Sequence, residues 1–381
     1  ESVVPTEITG VTDFEILEKY FTVIPGKLEQ NFIYDRYDVA FDYVLAMSDN
    51  INIRSKPSLN SAIVAKAHSF EKLNVIAKVK GQYLDSFGDN VWYEIMWKEG
   101  SEQKKGYIFG KLAETRTFRF DEMISAVEEI KTEVDGKLTA YIANYKDRNG
   151  KAPLYKGSNT DAFGKSGYQS APAYTEASMD SDFRYLPDGT LIILLEKTEK
   201  FYKVNVPGIE DEYYVPIKYV SGLNPINKLY QVVVIDAANQ NEAVFQYYKN
   251  KWQLVSVTYA STCSQDMLLE EGKPAVFKVI DKKEKLEFLN NDGDNAAGYA
   301  PYALRFSGSS HIYGIPVEYE IKDGVVSDPG TTEYIYTLGT LPRTKWGIRN
   351  YTSHAKFLYD WLLESESAVI EELCMACIIS Y

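Results

Sequence analysis

The apolar positions of this chain recur mostly at every second residue, in short runs closed by Gly, Pro, Asn, Asp or Ser. From residue 50 it reads NINIRSKPSLNSAIVAKAHSFEKLNVIAKV, and later NVWYEIMW and KKGYIFGKL. Short alternating runs broken by turn residues predict a small barrel of strands over residues 46–116. Residues 1–45 are a mixed lead-in, where Thr12 or Asp13 stands as the cap of a short helix over TDFEILEKYFTVIP. In residues 117–145, FDEMISAVEEI has helical spacing and LTAYIANY alternates, which reads as a linking element. Residues 146–222 repeat the barrel pattern in degraded form. APLYKG maps onto the opening strand, LPDGTLIILLEKTEKFYKVNV onto the middle and DEYYVPIKYVSG onto the close, with EYYVPIKYVS laid over KGYIFGKLAE. GSNTDAFGKSGYQSAPAYTEASMDSD reads as a long polar loop. The other reading of 146–222 is a β-insert peculiar to this chain.

Residues 225–381 are again rich in strands. LYQVVVIDAANQNEAVFQYYKNKWQLVSVTYAST reads as strand, turn, strand, tight KNK turn, strand. AVFKVID, YALRFSG, SHIYGIPVEY and YIYTLGT follow as further strands. SHAKFLYDWLLES is a helix with Ser353 as its cap, and AVIEEL closes the pattern as a strand.

Composition sharpens this picture. The 381 residues include 30 Tyr, 17 Phe and 5 Trp, which favours pleated surfaces and leaves open amphipathic faces that take sugars or peptides. A net charge of −13 argues against a nucleic-acid partner. Cys263, Cys374 and Cys377 are too few for a disulfide scaffold, and CMAC has no second half-site, so a structural role is expected for it. The three histidines, His68, His311 and His354, are far apart in sequence, so no metal site is expected, nor any cofactor. No apolar run is long enough to span a membrane. A start at Glu1 fits a chain trimmed after a secretion signal, and fits any internal fragment equally.

NIRSKPS resembles the Asn-hydrophobic-Arg-x-x-Pro opening of bacterial SH3-like domains. VWYEI resembles their central Trp strand, and KGYIFGKL their closing strand. This resemblance implies a module that binds cell-wall peptide. One or two of Trp92, Tyr93, Trp97 and Tyr107 would then line a peptide groove, with the others in the core.

The last domain resembles the L,D-transpeptidase catalytic domain of the YkuD type. VVVIDAANQNEAVFQY is similar to that family's opening hairpin and YALRFSGSSHIYGIP to its His-Gly-x-Pro strand. LGTLPRTKWGIRN is similar to its Ser-His-Gly-Cys-hydrophobic-Arg loop, and SHAKFLYDWLLESESAVI to the closing helix and strand. The whole is then mainly β: two small SH3-like barrels followed by a transpeptidase-like β-sandwich with a helix near its C-terminus. The resemblance implies a thiolate attacking a peptidoglycan stem peptide, with a histidine taking the thiol proton and backbone N–H groups holding the oxyanion.

Residue by residue, that chemistry is missing. The family Ser falls on Thr344, the His on Lys345, the Gly on Trp346 and the Cys on Gly347, while Ile348 and Arg349 keep the pattern. The other family His falls on Tyr313, beside matching Gly314 and Pro316, and EYEIKDGVVSDPGTTEY lengthens the spacing between the two motifs. Gly347 has no side chain to act as nucleophile. Candidate ligand contacts are His311, Tyr313, Trp346 and Arg349. Each has a plain alternative: a satisfied histidine at His311, a space-filling ring at Trp346, a loop-bracing ion pair at Arg349. Cys263, in YASTCSQD, is either a buried thiol or a displaced nucleophile.

The expectation is an exported protein of the periplasm or cell surface that binds peptidoglycan or stem peptides without cross-linking them. A lipid anchor upstream of Glu1 is left open. The alternatives are an active transpeptidase using Cys263, and an envelope scaffold that binds a protein partner.

Overall fold

The computed structural model describes residues 14–34, 39–223, 225–263, 268–290, 292–328, 337–344, 347–364 and 375–380. Among the described residues the chain is mostly β, with several sheets and two α-helices. It divides into two units: Glu1–Ile24 with Asp38–Arg119, and Pro25–Tyr37 with Phe120–Tyr381. Among the described residues no helix is long and apolar enough to cross a membrane.

The first unit is built on one sheet with the order Ile63–Ala67, Ile51–Arg54, Glu102–Phe109, Asp89–Glu99, Lys72–Leu84, Asp42–Ala46, Ala113–Thr117. Inward positions of the alternating runs make its core: Val44, Ile51, Ile53, Val75, Ile95 and Ile108. Trp92, Tyr107 and Phe109 form a second cluster. Trp92, Tyr93 and Tyr107 are buried, so these three rings are packing, while Trp97 is half-buried at the edge of the core. The lead-in differs from expectation. Ile16–Lys19 is a strand, not a helix, because it pairs antiparallel with Lys72–Leu84 (Ile16 opposite Val79). A sheet edge next to a short peptide outweighs its helical spacing.

The second unit contains a sheet with the order Phe183–Pro187, Ser170–Tyr174, Glu212–Pro216, Phe201–Asn205, Leu191–Lys197, Thr139–Ile142, Val220–Ser221. Strand for strand this repeats the order of the first sheet. The close also repeats: a 3-10 turn, Gly110–Leu112 or Ile217–Tyr219, leads into the last strand. A serine turn is duplicated as well. Ser61 Oγ donates to Lys56 O and Ser58 O, both at 2.8 Å. Ser181 Oγ donates to Glu176 O at 3.4 Å and Ser178 O at 2.9 Å. This duplication corrects the expected opening strand. It is Ser170–Tyr174, inside the stretch expected to be a polar loop, while APLYKG forms no strand. Ser61→Ala and Ser181→Ala each strip a turn of its central hydroxyl. Each is expected to lower unfolding free energy by about 1 kcal/mol, read by urea denaturation. No change for either would mean the hydroxyls do not brace the turns.

The same unit holds α1, Phe120–Val134, and α2, Thr352–Glu364. Thr352 opens α2, so Ser353 lies within the helix instead of capping it. Besides the barrel-like sheet the unit has two further sheets and the two-stranded pair Glu320–Lys322 with Val325–Ser327. One has the order Glu29–Gln30, Lys251–Tyr259, Asn241–Tyr248, Gln231–Asp236, Met375–Ser380, Ala275–Lys278. Its KNK hairpin turns through Lys249 (φ 48°) and Asn250 (φ 63°), the paired left-handed residues that match strand twist. The other carries Asp281–Leu289, Ala296–Ser307, Ser310–Tyr313 and Gly347–Arg349. The expected strand over 368–373 and Cys374 lie outside the described residues. The YIYTLGT strand does so in part, and its described end, 337–340, is a turn. Cys377 lies on the strand Met375–Ser380.

One continuous core joins the barrel-like sheet to these two. Leu186, Ile192 and Val204 pack in one cluster with Val233, Phe277, Leu304, Ile312, Ile348 and Trp361. Asp188 locks the junction, accepting from Arg305 Nη1 at 2.6 Å, Gly308 N at 3.1 Å and Asn144 N at 2.7 Å. Gly189 has φ +85°, and a Cβ there would fall 1.7 Å from Phe306 O, so only glycine allows this approach.

Candidate functional site

Two strands bring the motif residues together. Ser310–Tyr313 and Gly347–Arg349 pair in parallel, with His311 opposite Gly347, Ile312 opposite Ile348 and Tyr313 opposite Arg349. Ile312 and Ile348, both fully buried, pull this pair into the core. On the far side Ser261 exchanges both backbone hydrogen bonds with Arg349, at 2.9 and 2.8 Å, and Cys263 bridges Thr344. Asn350 N donates to Tyr313 O at 2.8 Å. Gly314 fits closely, since a Cβ there would lie 2.9 Å from Thr352 Cα.

Tyr313, Thr344, Arg349 and Cys263 therefore form one cluster. The Tyr313 phenol is hydrogen-bonded to the Thr344 and Arg349 side chains. Burial pushes its pKa up, partly opposed by the Arg349 charge. Thr344 Oγ1 donates to Gly347 O at 2.5 Å. Tyr313, Cys263 and Thr344 are buried at 7%, 8% and 2% exposure. Among the described residues this is a mostly buried cluster. Two clefts of the unit, of about 430 and 410 Å³, are lined by other residues, among them Lys131 and Tyr247, and Glu133 and Gly208. Lys345 and Trp346 lie outside the described residues.

Gly347 has φ +99°. A Cβ at this position would stand 2.1 Å from His311 O and 2.6 Å from His311 N. Both are backbone atoms of the paired strand and cannot swing aside. The position is shut to every side chain, cysteine included.

His311 and His354 have other partners. His311 Nδ1 is 2.8 Å from Ser309 O, and burial lowers its pKa to about 4, with Arg305 and Lys283 adding to the depression. His354 is buried in a different polar group. Its Nε2 is 2.6 Å from Ser256 Oγ and its Nδ1 3.5 Å from Glu242 Oε1. Glu242 Oε2 accepts from Asn350 Nδ2 at 2.9 Å. Desolvation raises the Glu242 pKa to about 8 and lowers that of His354 to about 3. Sequence reasoning missed this group. Its signals were polar residues inside apolar strand runs: Glu242 in NEAVF and Ser256 in LVSV. Among the described residues no cluster of three or more His, Cys, Asp or Glu side chains could hold a metal ion.

No curated protein matches the chain. Among solved structures it is similar to a fused Zn-dependent amidase/peptidase/peptidoglycan-binding domain-containing protein from Clostridium acetobutylicum. Identity there is 14%, over 39% of this chain and 51% of that one, with a TM-score of 0.24. An L,D-transpeptidase from Mycobacterium smegmatis is 11% identical over 49% of this chain and 69% of that one, TM-score 0.27. L,D-transpeptidase 3 from Mycobacterium tuberculosis, in complex with a faropenem-derived adduct, is 12% identical over 50% and 91%, TM-score 0.27. The chain spans about half the length of the Clostridium protein, and scores of this size fall short of a common global fold. The firm assignment is local: residues 49–114 match the bacterial SH3 domain family, so the chain contains a bacterial SH3 domain.

Proposed function

We propose that this chain is a cell-envelope protein that binds peptidoglycan or its stem peptides and does not cross-link them. In this reading a second SH3-like barrel follows the first, and a transpeptidase-like domain without its catalytic groups begins near residue 225. The protein acts after export, at the periplasm or cell surface. The geometry of Gly347 carries the non-catalytic half: the position where the family keeps its nucleophile has a left-handed backbone and His311 O within 2.1 Å of any Cβ. The bacterial SH3 domain at residues 49–114, and the repeat of its strand order in the second unit, support wall binding.

Cys263 does not replace the lost thiol in this account. Tyr313 and Thr344 stand beside it, and neither hydroxyl is a base at neutral pH. A second reading, an envelope scaffold for a protein partner, draws on the burial of the Tyr313 cluster. Sedimentation with purified peptidoglycan separates the two. The protein is expected in the pellet with the wall polymer. A protein that stays wholly in the supernatant would remove wall binding and leave the scaffold.

A further inference from the structure

The segment before the first barrel's Asp42–Ala46 strand crosses the second unit as a thin strap. Glu29 and Gln30 pair in parallel with Gln253 and Leu254. Asn31 N donates to Leu254 O at 3.1 Å and Ile33 N to Val255 O at 3.0 Å. A two-residue strand is weak by itself, so side chains must hold it. Leu28 and Tyr34 are its buried anchors. The Tyr34 hydroxyl is 2.9 Å from Ser353 Oγ, and its ring meets that of His354 edge-on, with centroids 4.8 Å apart. Phe357 flanks both rings. The strap thus rests directly on a fully enclosed imidazole.

We propose that residues 25–34 form a latch over His354, closed while that imidazole is neutral and released when it takes up a proton. In the closed geometry a second proton on Nδ1 would face only Glu242 Oε1 at 3.5 Å, a carboxyl that burial keeps protonated below about pH 8. Nε2 is occupied by Ser256, Nδ1 has no hydrogen-bond partner, and the enclosed ring is cut off from water. Lifting Tyr34 readmits water to the ring. Protons then bind the open state better than the closed one, and a ligand that prefers one state shifts the population toward it.

The sign follows from the groups that face the ring. Glu242 faces it from the adjacent strand; Ser256, Ser353, Tyr34 and Phe357 stand on its other sides. A histidine held below its ordinary pKa withdraws stability from the closed state as pH falls below about 6.5. Glu242, held above its ordinary value, would act in the opposite sense if opening hydrated it, so the latch motion is one that uncovers the imidazole and leaves Glu242 enclosed. Acid release therefore belongs to His354. With the open-state imidazole titrating normally and Glu242 enclosed in both states, the open-to-closed ratio rises about thirtyfold between about pH 7.5 and about pH 5.

Hydrogen exchange read by mass spectrometry on the full chain, corrected for intrinsic pH effects, tests this. Protection of peptides over residues 28–34 is expected to fall about thirtyfold across that range, while peptides over Gln231–Asp236 hold theirs. A flat response in the strap, or an equal loss everywhere, would overturn the latch. His354→Gln should flatten the response with the strap still closed. Should that variant not fold, Glu242→Gln decides: it leaves His354 to titrate, so the acid response must persist. Its disappearance there would show that His354 titration does not carry the response and overturn the proposal.

Discussion

Gly347→Cys is expected to destabilise the second unit severely and to create no acyltransferase. Returning the thiol to its family position looks like the obvious repair. Two features of this structure forbid it. The backbone at 347 has φ +99°, a region that a side chain enters only with strain. The new Cβ would also stand 2.1 Å from His311 O and 2.6 Å from His311 N, well inside van der Waals contact with main-chain atoms. The strand pair must part to admit it, and Ile312 and Ile348 are core residues of that pair. A loss of about 3 kcal/mol or more is expected in urea denaturation, with Gly347→Ala similar because the Cβ is the offender. A folded Gly347→Cys protein of wild-type stability would show that the pair is not closed as described.

Glu242→Gln is expected to change how stability depends on pH. In the folded chain desolvation holds this carboxyl near pKa 8, against an ordinary value of 4.5. A raised folded pKa contributes stability that is complete below about pH 4.5 and lost as pH climbs through about 8. The wild-type chain should therefore weaken on the alkaline side, by an amount on the order of 5 kcal/mol across the full transition. His354 supplies the opposite arm. Its folded pKa is lowered to about 3, so stability is lost as pH falls below about 6.5. Glutamine keeps an acceptor for Asn350 Nδ2 and carries no charge at any pH, so the variant should lose the alkaline arm and keep the acid one. Urea midpoints near pH 5.5 and pH 9 read the difference. Parallel wild-type and variant curves would mean that Glu242 is not enclosed.

The parts of this fold that could be read from the sequence are those with strong local alternation. NIRSKPS, VWYEI and KGYIFG each put apolar residues on one face of a strand, and their order alone outlines the first barrel. The opening of the second repeat could not be read that way. Its strand is SAPAY, buried at all five positions, so it has no exposed face to alternate with and carries a proline besides. The serine turn that follows was the better marker, because Ser178 and Ser181 reproduce the roles of Ser58 and Ser61. Ile16–Lys19 was missed because a strand exposed at all four positions is decided by the partner it meets. At the site, the resemblance aligns Gly347 with the family's cysteine position. The backbone of His311 closing that position could not be read, because it depends on a parallel pairing between distant segments.

On the proposed reading, no nucleophile of the transpeptidase kind works in this chain. Carbapenems acylate the catalytic cysteine of that family, so the direct measurement is the intact mass of the full chain after incubation with a carbapenem. The account requires an unchanged mass: Gly347 carries no sulfur, and the Cys263 thiol is buried beside hydroxyl groups that are not bases. A stoichiometric adduct that disappears in Cys263→Ser would contradict it and make the chain an enzyme with a displaced thiol.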